Sequence, residues 1–99
     1  QKNRRYNHTN IVLYLKVAHS NFFIGKERKK VDFCISNNNS ISRIHAEVIM
    51  RNGTFYLVDQ KSTNGTYVNG VKLTPLQETE LKNGDIIQLS DEEFEFKTN

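Results

Sequence analysis

Two polar stretches carry most of the reactive side chains in this 99-residue sequence. Residues 36–45 include Ser40, Ser42, Arg43 and His45, and residues 60–66 include Ser62, Thr63, Asn64, Gly65 and Thr66. Both are longer and more particular than a simple turn requires. A third point is Gly25-Lys26, where an apolar run stops at the only glycine not preceded by asparagine. Ser42 and Thr63 each offer a short hydroxyl, Arg43 a planar fork of donors, and Asn64 both a donor and an acceptor. Such a set suits an anion with several acceptor oxygens, which needs hydroxyls, a fixed cation and open backbone N–H groups. Taken singly, Ser42 and Thr63 would read as ordinary turn residues, because Ser and Thr favour such positions regardless of function.

Catalytic and metal chemistry are harder to assemble. His45 has no evident nucleophile with an adjoining acid, so it reads as structural. His8 and His19 are isolated, and with Cys34 the only cysteine there is no metal-ligand cluster. No nucleotide loop or acid–base pair can be built, and no cofactor is expected. Cys34 lies between Phe33 and Ile35, the setting of a small buried hydrophobe. A lone thiol allows no internal disulfide and favours a reducing compartment.

Net charge is +3, with a sequence pI near 9.1. Lys26, Arg28, Lys29 and Lys30 cluster, whereas Asp91, Glu92, Glu93 and Glu95 make the C-terminal end acidic. A local basic loop suits a compact anionic ligand better than a long nucleic-acid track. Lys29 and Lys30 read as part of a solvated loop, with direct ligand contact the less favoured role. Hydrophobic residues make up 36% and charged residues 25%, and the apolar ones fall in regular short runs, as in a folded domain. No run approaches the roughly 20 apolar residues that cross a bilayer. The basic start, Gln1-Lys2-Asn3-Arg4-Arg5, is not followed by the apolar segment of a signal peptide. The sequence begins without a methionine, which suits a piece of something longer.

The elements that must position these residues are short strands. Four of the five glycines follow asparagine, at Asn52-Gly53, Asn64-Gly65, Asn69-Gly70 and Asn83-Gly84. Asn-Gly supplies the positive φ that hairpin turns between antiparallel strands require. Ala46, Val48 and Met50 alternate with Glu47, Ile49 and Arg51, and Phe94 and Phe96 alternate with Glu93, Glu95 and Lys97. Phe55 and Leu57 alternate with Tyr56 and Val58, and residues 11–17, 22–24 and 33–35 add further strands. The nearest approach to a helix is 76–81, short and preceded by Pro75. The phenylalanines at 22, 23, 33, 55, 94 and 96 read as core or sheet surface, not a base-stacking platform. Many short strands in about 100 residues make an all-β sandwich or barrel. The length suits one domain spanning 1–99, with 1–10 a flexible, linker-like N-terminal segment.

At the polar stretches the chain resembles the forkhead-associated (FHA) family. It shows Gly25-Lys26 after an apolar strand, then Ser-Arg-x-His at Ser42-Arg43-Ile44-His45. Ser-x-Asn-Gly-Thr follows at Ser62, Asn64, Gly65 and Thr66, then Val68-Asn69-Gly70, and Leu-x-x-Gly-Asp-x-Ile at Leu81, Gly84, Asp85 and Ile87. In this order, within residues 22–96, the motifs cover most of the chain. The resemblance implies a β-sandwich of about eleven short, mainly antiparallel strands with ligand loops at one end. It implies a monomeric, intracellular protein-interaction module, cytoplasmic in setting, whose partner is a phosphothreonine-containing protein or peptide. Ser42, Arg43, Thr63 and Lys26 would meet the phosphate, and Asn64 the peptide main chain. Gly25, His45, Gly65 and Asn69 would support the site, and Ser40 would help select the peptide residue three beyond the phosphothreonine. Lys26 departs from the family's usual arginine, keeping the charge but losing the bidentate fork.

Two other classes remain open from sequence. The scaffold could bind an unphosphorylated partner, a reading favoured by lysine at position 26. Nucleic acid is the least favoured partner, since the bases are few, offset by acids, and carry no nucleic-acid motif.

Overall fold

The computed structural model describes residues 12–14 and 21–97. The segment 1–10, and residues 11 and 15–17 of the first expected strand, lie outside the described residues. Ten strands are formed among those described: β1 Val12–Tyr14, β2 Asn21–Gly25, β3 Phe33–Cys34, β4 Ala46–Arg51, β5 Thr54–Asp59, β6 Thr66–Val68, β7 Val71–Lys72, β8 Thr79–Leu81, β9 Ile86–Leu89 and β10 Glu92–Lys97. They make two five-stranded sheets, ordered β1-β10-β9-β6-β7 and β3-β2-β4-β5-β8. The pairs β1–β10 and β2–β3 are parallel, and the other ladders are antiparallel. The architecture is an all-β sandwich, and no described helix is long and apolar enough to cross a membrane.

Alternation explains why the sheets stack. Along β10, Glu92, Phe94 and Phe96 are buried while Glu93, Glu95 and Lys97 are half-buried. Successive side chains of a strand point to opposite faces, so Phe94 and Phe96 enter the core together. They meet Ile24, Val48, Leu57, Ile87 and Leu89, all almost fully buried. Two edge-to-face aromatic pairs cross between the sheets, Phe33 on Phe94 at 5.7 Å and Phe55 on Phe96 at 5.3 Å. Such pairs add about 0.5–1.5 kcal/mol beyond their area burial. Cys34 is only half-buried, because its two-residue strand lies at the sheet edge.

The Asn-Gly dipeptides do two different jobs. Asn52-Gly53 (φ 53° and 79°) joins β4 to β5, and Asn69-Gly70 (φ 50° and 84°) joins β6 to β7, each as a tight hairpin. Asn64-Gly65 and Asn83-Gly84 instead sit where the chain changes sheet. Positive φ serves any sharp reversal, so hairpins do not follow from the dipeptide alone. The remaining hairpin, β9 to β10, turns on Ser90 at φ 59°. The helix-like stretch 76–81 forms no helix: Leu76 takes φ 66°, outside the right-handed region, and Thr79–Leu81 pairs with β5.

One end of the sandwich gathers the polar loops. Backbone hydrogen bonds join Lys26 N–H to the Ser42 carbonyl (3.0 Å), Glu27 N–H to Arg43 (3.1 Å), Gln60 N–H to His45 (2.9 Å) and Ser90 N–H to Gly65 (3.0 Å). Four chain segments are thereby laced together. The core that holds them is small, so Phe96→Ala should lower the unfolding free energy by about 3–5 kcal/mol, read from urea denaturation. A loss below about 1 kcal/mol, no more than an isosteric core swap costs, would show that Phe96 is not the inter-sheet anchor described.

Candidate functional site

Gly25 ends β2 directly beneath the loop that carries Arg43. A β-carbon at position 25 would fall 2.1 Å from the Arg43 carbonyl oxygen, so only glycine lets the two backbones approach this closely. That contact sets Lys26 beside Ser42 and Arg43.

His45 ties the same loop to the next one. Its ring is fully buried, with Nδ1 accepting the Ser42 backbone N–H at 3.0 Å and Nε2 lying 2.9 Å from the Gly65 carbonyl. Since Nδ1 accepts, the proton belongs on Nε2, which donates to Gly65. The ring is therefore neutral. Ser42 completes the link: its hydroxyl oxygen accepts the Thr63 N–H at 3.0 Å, leaving the hydroxyl proton free to donate.

Asp59 organises the second loop from below. Its carboxylate is buried and accepts the hydroxyls of Ser62 (2.5 Å) and Thr66 (2.6 Å), and the Ser62 hydroxyl in turn accepts the Gly65 N–H at 3.0 Å. A buried carboxylate survives only when its lone pairs are filled in this way. Gly65, at φ 91°, takes a turn that side chains resist.

These braces open a cleft of about 480 Å³ lined by Lys26, Lys30, Ser42, Arg43 and Thr63, with Ile41 and Ile44. Of the residues expected to meet an anion, Lys26, Ser42, Arg43 and Thr63 share this cleft. Arg43 is exposed, and its guanidinium makes no hydrogen bond or ion pair among the described residues. Lys26 Nζ donates to Asn39 Oδ1 at 3.1 Å. Asn64 stands at the margin, exposed, with Nδ2 donating to the Ser40 carbonyl at 2.9 Å.

Two expected residues lie elsewhere. The Ser40 hydroxyl is committed to Asn38 Oδ1 (2.6 Å), and the Ser90 hydroxyl donates to it at 2.7 Å, so Ser40 anchors its loop to the β9–β10 turn. Asn69 closes the far end of β6, bonding Asp85 Oδ1 at 3.0 Å and the Ile86 N–H at 2.9 Å. It stays three residues along the strand from Thr66, away from the cleft. Lys30, for which direct contact was the less favoured reading, lines the cleft, and sequence reasoning missed Asp59 as the buried support. An acid closing a strand just before Ser-x-Asn-Gly was the available signal for Asp59.

Comparison with known proteins now places the chain. The family model described as FHA domain matches residues 22–90. This chain belongs to the FHA domain family. It is 35% identical over 80 residues to the protein FraH of Nostoc sp., covering 76% of this chain and 26% of FraH. It is 44% identical over 50 residues to the glycogen accumulation regulator GarA of Mycolicibacterium smegmatis, covering 50% of this chain and 30% of GarA. The chain thus spans less than a third of the length of these relatives. Among solved structures, the MEK1 FHA domain in complex with a HOP1 phosphothreonine peptide superposes with a TM-score of 0.65 at 32% identity, covering 75% of this chain and 76% of that one.

The neutral histidine carries a pH dependence. Burial pushes the His45 pKa below the usual imidazole value, outweighing the Gly65 bond and the Asp59 charge, which both raise it. Unfolded, the ring would titrate near 6.5. Between the lowered folded value and about 6.5 the unfolded state binds more protons, so this contribution is whole above about pH 6.5 and is lost as pH falls. Imidazole NMR titration should place the His45 midpoint below about 6.5. Titration of His45 at or above about 6.5 would contradict the neutral brace.

Proposed function

We propose that this domain binds a phosphothreonine-containing segment of a partner protein in the cleft between the 42–43 and 63–64 loops. The observation that carries the reading is the Arg43 guanidinium, exposed and uncommitted among the described residues, in one cleft with Ser42, Thr63 and Lys26. A phosphothreonine brings roughly −1.5 to −2 charge and three acceptor oxygens. Arg43 and Lys26 would balance that charge, and the two hydroxyls would donate to the remaining oxygens. Asn64 has an amide oxygen to accept from an extended peptide backbone while its Nδ2 stays on Ser40. The MEK1 domain, similar in sequence and fold, is described with a phosphothreonine peptide, which supports the same ligand class here. The role is recognition rather than catalysis, and residues 1–99 act as one such unit.

Matched phosphorylated and unphosphorylated peptide libraries test the proposal by fluorescence anisotropy. Arg43→Ala should weaken phosphopeptide binding roughly ten- to 150-fold, the value of one charge-assisted contact of about 1.5–3 kcal/mol. Equal binding of both libraries, untouched by Arg43→Ala, would defeat the reading in favour of a phosphorylation-independent sheet-face interface.

Lysine at position 26 gives a second check. Arginine there would restore a planar fork beside Arg43, so Lys26→Arg should preserve or tighten binding. Abolition of binding by that change would show Lys26 to be misplaced in the site.

A further inference from the structure

The cleft holds more positive charge than one phosphate requires. Lys26 and Arg43 sit on adjoining backbones, joined by the Lys26 N–H to Ser42 carbonyl bond, and together match a dianion. Lys30 lines the same cleft but arrives from a different direction, on the short 3-10 turn Arg28–Lys30. That turn is closed by Lys30 N–H on the Glu27 carbonyl at 2.8 Å. Its exit is pinned where Asp32 and Phe23 exchange two bonds: Asp32 N–H to the Phe23 carbonyl, and Phe23 N–H to Asp32 Oδ2, both 2.8 Å. Lys30 is thus presented by an ordered loop. Among the described residues no carboxylate forms an ion pair with Arg28, Lys29 or Lys30.

We propose that Lys30 forms a second anionic subsite, so that the preferred ligand is a phosphothreonine segment with another negative group close by. The proposal rests on the phosphothreonine reading and specifies its ligand further. The second group is a phosphate or a carboxylate, since an ammonium without a fork serves either as a point charge. Consecutive residues of an extended peptide advance about 3.3–3.6 Å, so a second anion within about three residues stays within about 10 Å of the first. Arg28 and Lys29, exposed on the same turn, add to the local field and would favour phosphate over carboxylate through its larger charge.

Three sets of phosphothreonine peptides test this, carrying within three residues a second phosphorylated residue, an Asp or Glu, or alanine. The readout is the affinity ratio between each doubly anionic peptide and the alanine peptide. The unaltered domain should favour the second anion about three- to fivefold at low salt, as for an exposed charge pair, with the preference shrinking as salt rises. Lys30→Ala should bring the ratio to near one, and Lys30→Arg should retain it. A ratio near one in the unaltered domain overturns the subsite. So does a Lys30→Ala loss of equal proportion for all three sets, which would make Lys30 a contact of the first phosphate. Failure of every phosphopeptide to bind better than its unphosphorylated form would overturn the underlying phosphothreonine reading instead.

Discussion

The neutral imidazole of His45 is the contact on which the site geometry depends. One ring nitrogen holds the Ser42 amide and the other holds the Gly65 carbonyl, so a single rigid plane fixes the spacing of two loops. Neither loop has a ladder of its own to hold it. Each hydrogen bond is worth about 1 kcal/mol net, but a buried amide left without its acceptor costs about 1–3 kcal/mol. Losing the ring would therefore cost more than its two bonds, because the Ser42 N–H would have to find water or move. Gly65 is doubly held, since its carbonyl also accepts the Ser90 N–H at 3.0 Å.

This bracing bears on affinity through preorganisation. Ordering flexible side chains and loops on binding costs roughly 0.5–1.5 kcal/mol per immobilised side chain. Here the Ser42 hydroxyl is already aimed by the Thr63 N–H, and the Thr63 loop is already set by Asp59 through Ser62 and Thr66. Arg43 and Lys30, by contrast, are exposed, and no hydrogen bond or ion pair among the described residues holds the Arg43 guanidinium. The short donors are braced and Arg43 is not. That division suits a ligand whose phosphate has one required position and whose flanking residues vary.

The sequence made the site more legible than the path of the chain. Ser42, Arg43 and Thr63 were readable because hydroxyls and a guanidinium in polar loops have few structural uses in combination. The alternation of Phe94 and Phe96 with charged residues gave β10 directly, since a strand with one buried face must alternate. The β9–β10 hairpin was not readable: Ser90 adopts positive φ without glycine, and the hydroxyl bond to Ser40 that helps hold it comes from fifty residues away. Lys30 was underrated for a related reason. A charge run normally marks a solvated face, and only the tertiary fold-back of the Arg28–Lys30 turn brings this lysine over the cleft. Asn69, which the resemblance led us to expect in support of the site, has its amide on Asp85 and Ile86 at the other end of β6.

Charge distribution gives the fold a direction as well as a site. The cleft end carries Lys26, Lys30 and Arg43, while Glu93 and Glu95 lie along β10, which crosses the body of one sheet. Acids also stand at the loop end, where Asp91 accepts from Asn38 and Ser40, so the positive charge is concentrated in the cleft itself. A phosphorylated segment would be drawn to those three cations. Beyond contact distance the field of exposed cations decays over about 8 Å at physiological salt. Arg28 and Lys29 therefore act mainly on which ligands arrive, whereas Arg43 would contribute affinity by direct contact. Discrimination then falls to the hydroxyls and backbone groups that His45, Gly25 and Asp59 hold still, so the buried part of the architecture decides what the charged rim has gathered.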